Sequence, residues 1–173
     1  IGTVEGSTDF VPFTESVGRD TLWHRFRNLK LTGGTTYWAT VRAWNKAGLS
    51  TSWTSDGFRV MTEPPLVGEV FMNQYGDTSH VFHTADATKI SAYWHEFANT
   101  QGSHHLNIHA PSHVTYQWAV GWNEYGFQVK NLTEVGTSKA VSEGFDLEHG
   151  HTYYVAVQAT NCAGLRTTAY SKF

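Results

Sequence analysis

A chain of 173 residues is long enough for one large domain or two small ones. With a net charge of −3 and only 16% charged residues it offers no basic stripe for a nucleic-acid backbone, and no apolar run approaches the roughly 18 residues that span a bilayer. The single cysteine, Cys162, excludes an internal disulfide, so a hydrophobic core must hold the fold; aromatic residues, 14% of the chain, supply material for one.

The opening, IGTVEGSTDF, has no charged segment followed by an apolar run of the kind that directs secretion. The first patterned element is GTTYWATVRAWNKAGL, residues 34–49. Tyr37, Ala39, Val41 and Ala43 alternate with Trp38, Thr40, Arg42 and Trp44. Period two predicts a strand with one buried face, Val41 in the core, and Trp38 and Trp44 turned outward as contact rings. Asn45 to Leu49 then turns the chain toward another strand, with Gly48 at a position suited to positive φ. Two prolines in MTEPPLVG, residues 61–68, remove backbone donors and fix φ, which ends a strand. The expected division is therefore 1–63 and 64–173, joined by a short, stiff linker.

Past that linker, short strands are expected at 67–72 and 79–83. KISAYWHEF, 89–97, places Ile90, Ala92 and Trp94 on an inward face. The following segment, 98–113, is polar and carries His104, His105, His109 and His113, with His95 just before it. Imidazoles are common ligands for zinc, copper or nickel, and a loop can fold three of them around one ion. The spacing matches no established metal motif, so the plainer reading is a solvated insertion. VTYQWAVGW, 114–122, sets Tyr116, Trp118 and Val120 on one face, and further strands are expected at 126–130, 138–142 and 166–172. Asn131-Leu132-Thr133 is a glycosylation sequon. In GHTYYVAVQATNCAGL, 150–165, Tyr153, Val155, Val157 and Ala159 face inward, and Tyr154 faces out.

This last element restates the first at an offset of 116, Gly34 to Gly150. Val17-Gly18 likewise matches Val135-Gly136, and Ile1-Gly2 matches Val120-Gly121. Solenoid units run to about 50 residues, so this period is a domain length. Residues from about 66 to 119 have no counterpart ahead of Ile1, and the chain is expected to open partway through a domain. Each copy is led by Leu-x-x-Gly-x-x-Tyr: Leu31, Gly34 and Tyr37, then Leu147, Gly150 and Tyr153. In such a tyrosine corner the leucine plugs the core, the glycine permits the turn, and the tyrosine hydroxyl bonds back to upstream backbone.

The corner, the Tyr-x-Val-x-Val-x-Ala-x-Asn-x-Ala-Gly strand end, Trp94 on an early strand and the Pro-Pro boundary together resemble tandem fibronectin type III domains. The resemblance covers the second copy throughout and the first from its third strand. It implies an all-β fold of antiparallel Greek-key β-sandwiches, one partial copy (1–63) and one complete (64–173). An immunoglobulin Cys–Trp–Cys set is absent. The repeat exceeds the usual roughly 100 residues, with the excess in 71–80 and 98–113. No Arg-Gly-Asp occurs, only Gly18-Arg19-Asp20, so integrin binding does not carry over.

The resemblance implies a structural and adhesive segment of an extracellular or cell-surface protein. It would act as spacer and protein-contact module, with neighbouring repeats, other extracellular proteins or further copies as partners. No cofactor is expected. No enzyme is expected either, because the sequence has no Gly-rich phosphate loop, Gly-x-Ser-x-Gly elbow or His-Glu-x-x-His. Cys162 stands where the first copy has Lys46 and reads as a quiet thiol, with an intermolecular disulfide as the alternative. The alternative function is an accessory module that binds a glycan or a metal, the metal through the histidine loop at 104–113.

Overall fold

A computed structural model describes residues 1–14, 17–72, 84–99 and 114–172. The structure is all-β, with no helix among the described residues and antiparallel pairing throughout. The described residues fall into two compact units, Ile1–Thr62 and those from Glu63 onward.

The second unit holds two sheets. One has the order β5-β6-β9, from β5 (Glu69–Phe71), β6 (Lys89–His95) and β9 (Ala140–Gly144). The other has the order β11-β10-β7-β8, from β7 (Thr115–Gly121), β8 (Lys130–Gly136), β10 (Tyr154–Thr160) and β11 (Arg166–Tyr170). Both feed one core: Val70, Ile90, Ala92 and Trp94 from the first sheet, and Tyr116, Trp118, Val120, Val155, Val157 and Ala159 from the second. The inward faces are those that the alternation selects. Trp94 and Trp118 are the largest fully buried side chains. Trp94 meets Tyr116 edge-on at 5.6 Å and Trp118 meets Phe145 at 6.0 Å, geometries that aromatic quadrupoles favour. The Lys130 ammonium lies 5.3 Å from the centre of the Trp118 ring and pairs with Glu143 at 2.7 Å.

Three expectations change here. Ala156 and its cross-strand partner Ala119 are also buried, on β10 and β7, the two central strands of their sheet. The strand expected at 126–130 begins at Lys130 instead, because Gly126 N donates to Asn123 O and spends that segment on a turn. The strand expected at 79–83 lies outside the described residues.

The described part of the first unit, 1–62, is built around one interrupted hairpin. β1 (Thr36–Tyr37) pairs with β4 (Phe58–Arg59), and β2 (Thr40–Trp44) with β3 (Ser50–Thr54). Gly2 bridges Trp38 through two 2.9 Å bonds, at the position matching the Tyr154–Gly121 pair of the second unit. Tyr37 is buried between Phe10 at 4.8 Å and Phe58 at 5.9 Å. β3, STSWT, has no apolar alternation to announce it and is paired because the preceding turn brings it back onto β2.

The expectation that Val41 is core is incorrect. Val41 is 69% exposed and its partner Trp53 is 82% exposed, whereas Val157, which occupies the same position in the second copy, is 0% exposed. The register is shared: Val41 faces Trp53 as Val157 faces Ala169, and Trp44 faces Ser50 as Thr160 faces Arg166. The hairpin is the same. In the second unit β7 and the β5-β6-β9 sheet enclose it, and among the described residues of the first unit no strand or sheet does so.

Candidate functional site

Both repeated corners form the same bonds. Thr32 N donates to the Tyr37 hydroxyl at 3.0 Å, and Glu148 N donates to the Tyr153 hydroxyl at 2.8 Å, five residues upstream in each case. Gly34 and Gly150 sit at φ 80° and 78°, a region that L side chains rarely adopt. Leu31 is half-buried, and Leu147 and Tyr153 pack against the core. These residues fix where strands begin and carry no chemistry beyond that.

The Asn-x-Ala-Gly-Leu turns also coincide. Asn45 Oδ1 accepts from Ala47 N at 2.9 Å and Leu49 N at 3.0 Å; Asn161 Oδ1 accepts from Ala163 N and Leu165 N, both at 3.0 Å. The carboxamide thus stands in for a backbone carbonyl and closes the turn. In the second unit the turn does more. Asn161 Nδ2 donates to Glu63 O at 3.0 Å, and the Thr167 hydroxyl donates to Pro65 O at 2.6 Å, which ties the incoming Glu-Pro-Pro segment to the hairpin. Cys162 lies on this turn and is exposed.

Val41, Trp44, Leu49 and Trp53 of the first unit's hairpin are exposed, with Val41 and Trp53 opposite each other across the strand pair and Trp44 on the other face. Trp44 is 64% exposed, as the alternation predicts. The other two expected contact rings differ. Trp38 is half-buried over Gly57, where an added Cβ would stand 2.9 Å from the indole nitrogen. Tyr154 is half-buried at the start of β10, opposite Gly121. At the turn end of β2 and β3 an open depression of about 320 Å³ is lined by Trp44, Asn45, Leu49 and Thr51. Trp53 and Leu49 escape a pattern reading because their exposure depends on what covers the hairpin.

The histidines proposed as metal ligands, His104, His105, His109 and His113, lie outside the described residues. His95 is described, and it joins a different set. It ends β6, faces Glu69 across the β5-β6 pair, and has Glu96 beside it at φ 66°; ligand atoms of the three lie within 4.8 Å of one another. His95 also stacks on Phe71 at 5.2 Å, and Lys172 reaches Glu69 at 3.5 Å. Only the strand pairing brings Glu69 and His95 together, so no sequence spacing announces the group. Asn131 of the sequon is exposed on β8, an edge of its sheet.

The titration shifts are structural. Hydrogen bonds from the Ser7 hydroxyl and from Thr3 hold the Asp9 carboxyl well below the ordinary carboxylate range. The Thr88 hydroxyl and amide do the same to Asp86. Burial raises Tyr116. None of the three belongs to a paired acid and base in a cleft, the arrangement that proton-transfer catalysis requires. No family model matches the chain, and no curated protein matches it.

Proposed function

We propose that this chain is a structural and adhesive segment made of fibronectin type III-like Greek-key sandwiches, working as spacer and protein-contact module in an extracellular or cell-surface assembly. The first unit corresponds to the later strands of the second. One observation carries the contact role. Among the described residues two hairpins with one register differ in cover, and the first-unit hairpin exposes Val41, Trp44, Leu49 and Trp53. Tryptophan leads the residues that dominate interface energy. The corners and turns support the spacer role, because they fix strand ends by hydrogen bonds of fixed length in both copies.

Sedimentation velocity of the intact chain over a range of concentrations tests this. The expected result is association that rises with concentration and is lost in the double variant Trp44→Ser, Trp53→Ser. A chain that stays monomeric and captures no neighbouring repeat would end the contact reading.

A second reading, an accessory metal-binding module, has the Glu69, His95 and Glu96 group in its favour. Zinc would then raise Tm in the intact chain, and His95→Ala would abolish the rise.

A further inference from the structure

Glu69 and His95 stand side by side because β5 pairs with β6. They are directly opposite in the antiparallel register, so their side chains leave the same face of the sheet, the face away from Val70 and Trp94 in the core. Gly68 lets the incoming chain press onto the end of β6, since a Cβ there would collide with His95 O. His95 stacks on Phe71 at 5.2 Å, and Phe71 stacks on Tyr93 at 5.0 Å; both of those rings are buried. Glu96, at φ 66°, leaves the strand line and brings its carboxylate to 3.7 Å from His95 Nδ1. Ligand atoms of the three residues lie within 4.8 Å of one another. Two carboxylates this close repel unless a cation stands beside them, and a buried aromatic floor weakens the screening by water. Among the described residues the ammonium at hand is that of Lys172, 3.5 Å from Glu69 Oε1, on a side chain that is 70% exposed.

We propose, resting on the metal-binding reading of this group, that Glu69, His95 and Glu96 hold one borderline divalent cation, zinc foremost, and that the ion replaces Lys172 as the counter-charge of Glu69. Donor chemistry selects the ion. Calcium takes six to eight oxygens and magnesium keeps several of its waters, so neither gains from an imidazole. Zinc accepts imidazole nitrogen and carboxylate oxygen together, at about 2.0–2.2 Å. Donors around such a four-coordinate ion stand about 3.4 Å apart, close to the 3.7 Å between His95 and Glu96. Glu69 and Glu96 are exposed, so their side chains close the remaining distance without disturbing the core. Two carboxylates and a neutral imidazole carry two negative charges, which one divalent ion balances and one lysine does not. Three protein ligands leave the fourth position to water.

The test is isothermal titration of zinc chloride into the intact chain, stripped with EDTA and dialysed. It is run on the native chain and on one with His104, His105, His109 and His113 all changed to alanine. Both should show a saturable event that Glu69→Gln and His95→Ala each weaken at least about tenfold, as losses around a metal do. Lys172→Met should strengthen it about two- to fivefold, the worth of one exposed ion pair. Calcium and magnesium should give no saturable heat. Melting each variant in EDTA checks the fold; Glu69→Gln keeps the side-chain shape at an exposed strand end, so it decides the matter should His95→Ala unfold. Zinc binding that disappears with the four loop histidines and survives Glu69→Gln would overturn the proposal and leave the metal-binding reading standing through the loop. No saturable zinc event in any chain ends both. Calcium bound as tightly as zinc would refute the ion class, and Lys172→Met without gain would refute the exchange of counter-charge.

Discussion

Val157→Ala and Val41→Ala make the same chemical change at matched positions of one hairpin repeated in two surroundings. Val157 is wholly buried among residues of both sheets of the second unit. Removing two carbons there forfeits about 1.6 kcal/mol of transfer free energy at ~0.8 per methylene, and the cavity left behind brings the total to about 2–3 kcal/mol. Val41 is 69% exposed, so the same truncation should change stability by no more than about 0.5 kcal/mol. Urea denaturation measures both, followed by tryptophan fluorescence for Val157 and by circular dichroism for Val41. Trp94 and Trp118 are buried and shift to the red when the second unit unfolds, whereas Trp44 and Trp53 are already exposed to water. For a unit of roughly this size 2–3 kcal/mol corresponds to about 8–15 °C in Tm. Equal losses at the two sites, or a loss above about 1 kcal/mol at Val41, would refute the claim that cover alone separates the two copies.

Tyr153→Phe should cost about 1 kcal/mol, the net worth of the bond from Glu148 N, and should move the transition of the second unit without altering its β content by circular dichroism. Made in a eukaryotic secretory host, the chain should carry a glycan at Asn131, seen as a mass increment that disappears in Asn131→Gln; the exposed edge position on β8 leaves room for it. Tyr116 has its pKa raised by burial above its usual 10.0, so the folded chain retains that proton while the unfolded chain releases it. Its contribution to stability is therefore complete below about pH 10 and declines as the pH rises further. Absorbance of tyrosinate at 295 nm should show a tyrosine ionising above the usual range while the second unit stays folded or as it unfolds, and Tyr116→Phe should remove that late step.

Some of this protein is written locally. The alternation at 37–43 and 153–159 selects a strand period, because successive side chains of a strand point to opposite faces. Leu-x-x-Gly-x-x-Tyr and Asn-x-Ala-Gly-Leu close within five or six residues, so their bonds depend on sequence that travels with them; Tyr37 and Tyr153, Asn45 and Asn161 accordingly behave alike in both copies. Trp94 and Trp118 were legible as core for the same reason. Burial of a strand's face is a different matter, since the partner comes from elsewhere in the chain. Val41 and Val157 share neighbours in sequence and a register in space, yet one is exposed and the other enclosed. The Glu69–His95 pairing and the burial of Ala119 and Ala156 likewise follow from strand order and register. Hydrogen-bonded turns are short-range and repeat with the sequence; the hydrophobic effect counts only the water that distant segments remove, and that sum is known once the chain has folded.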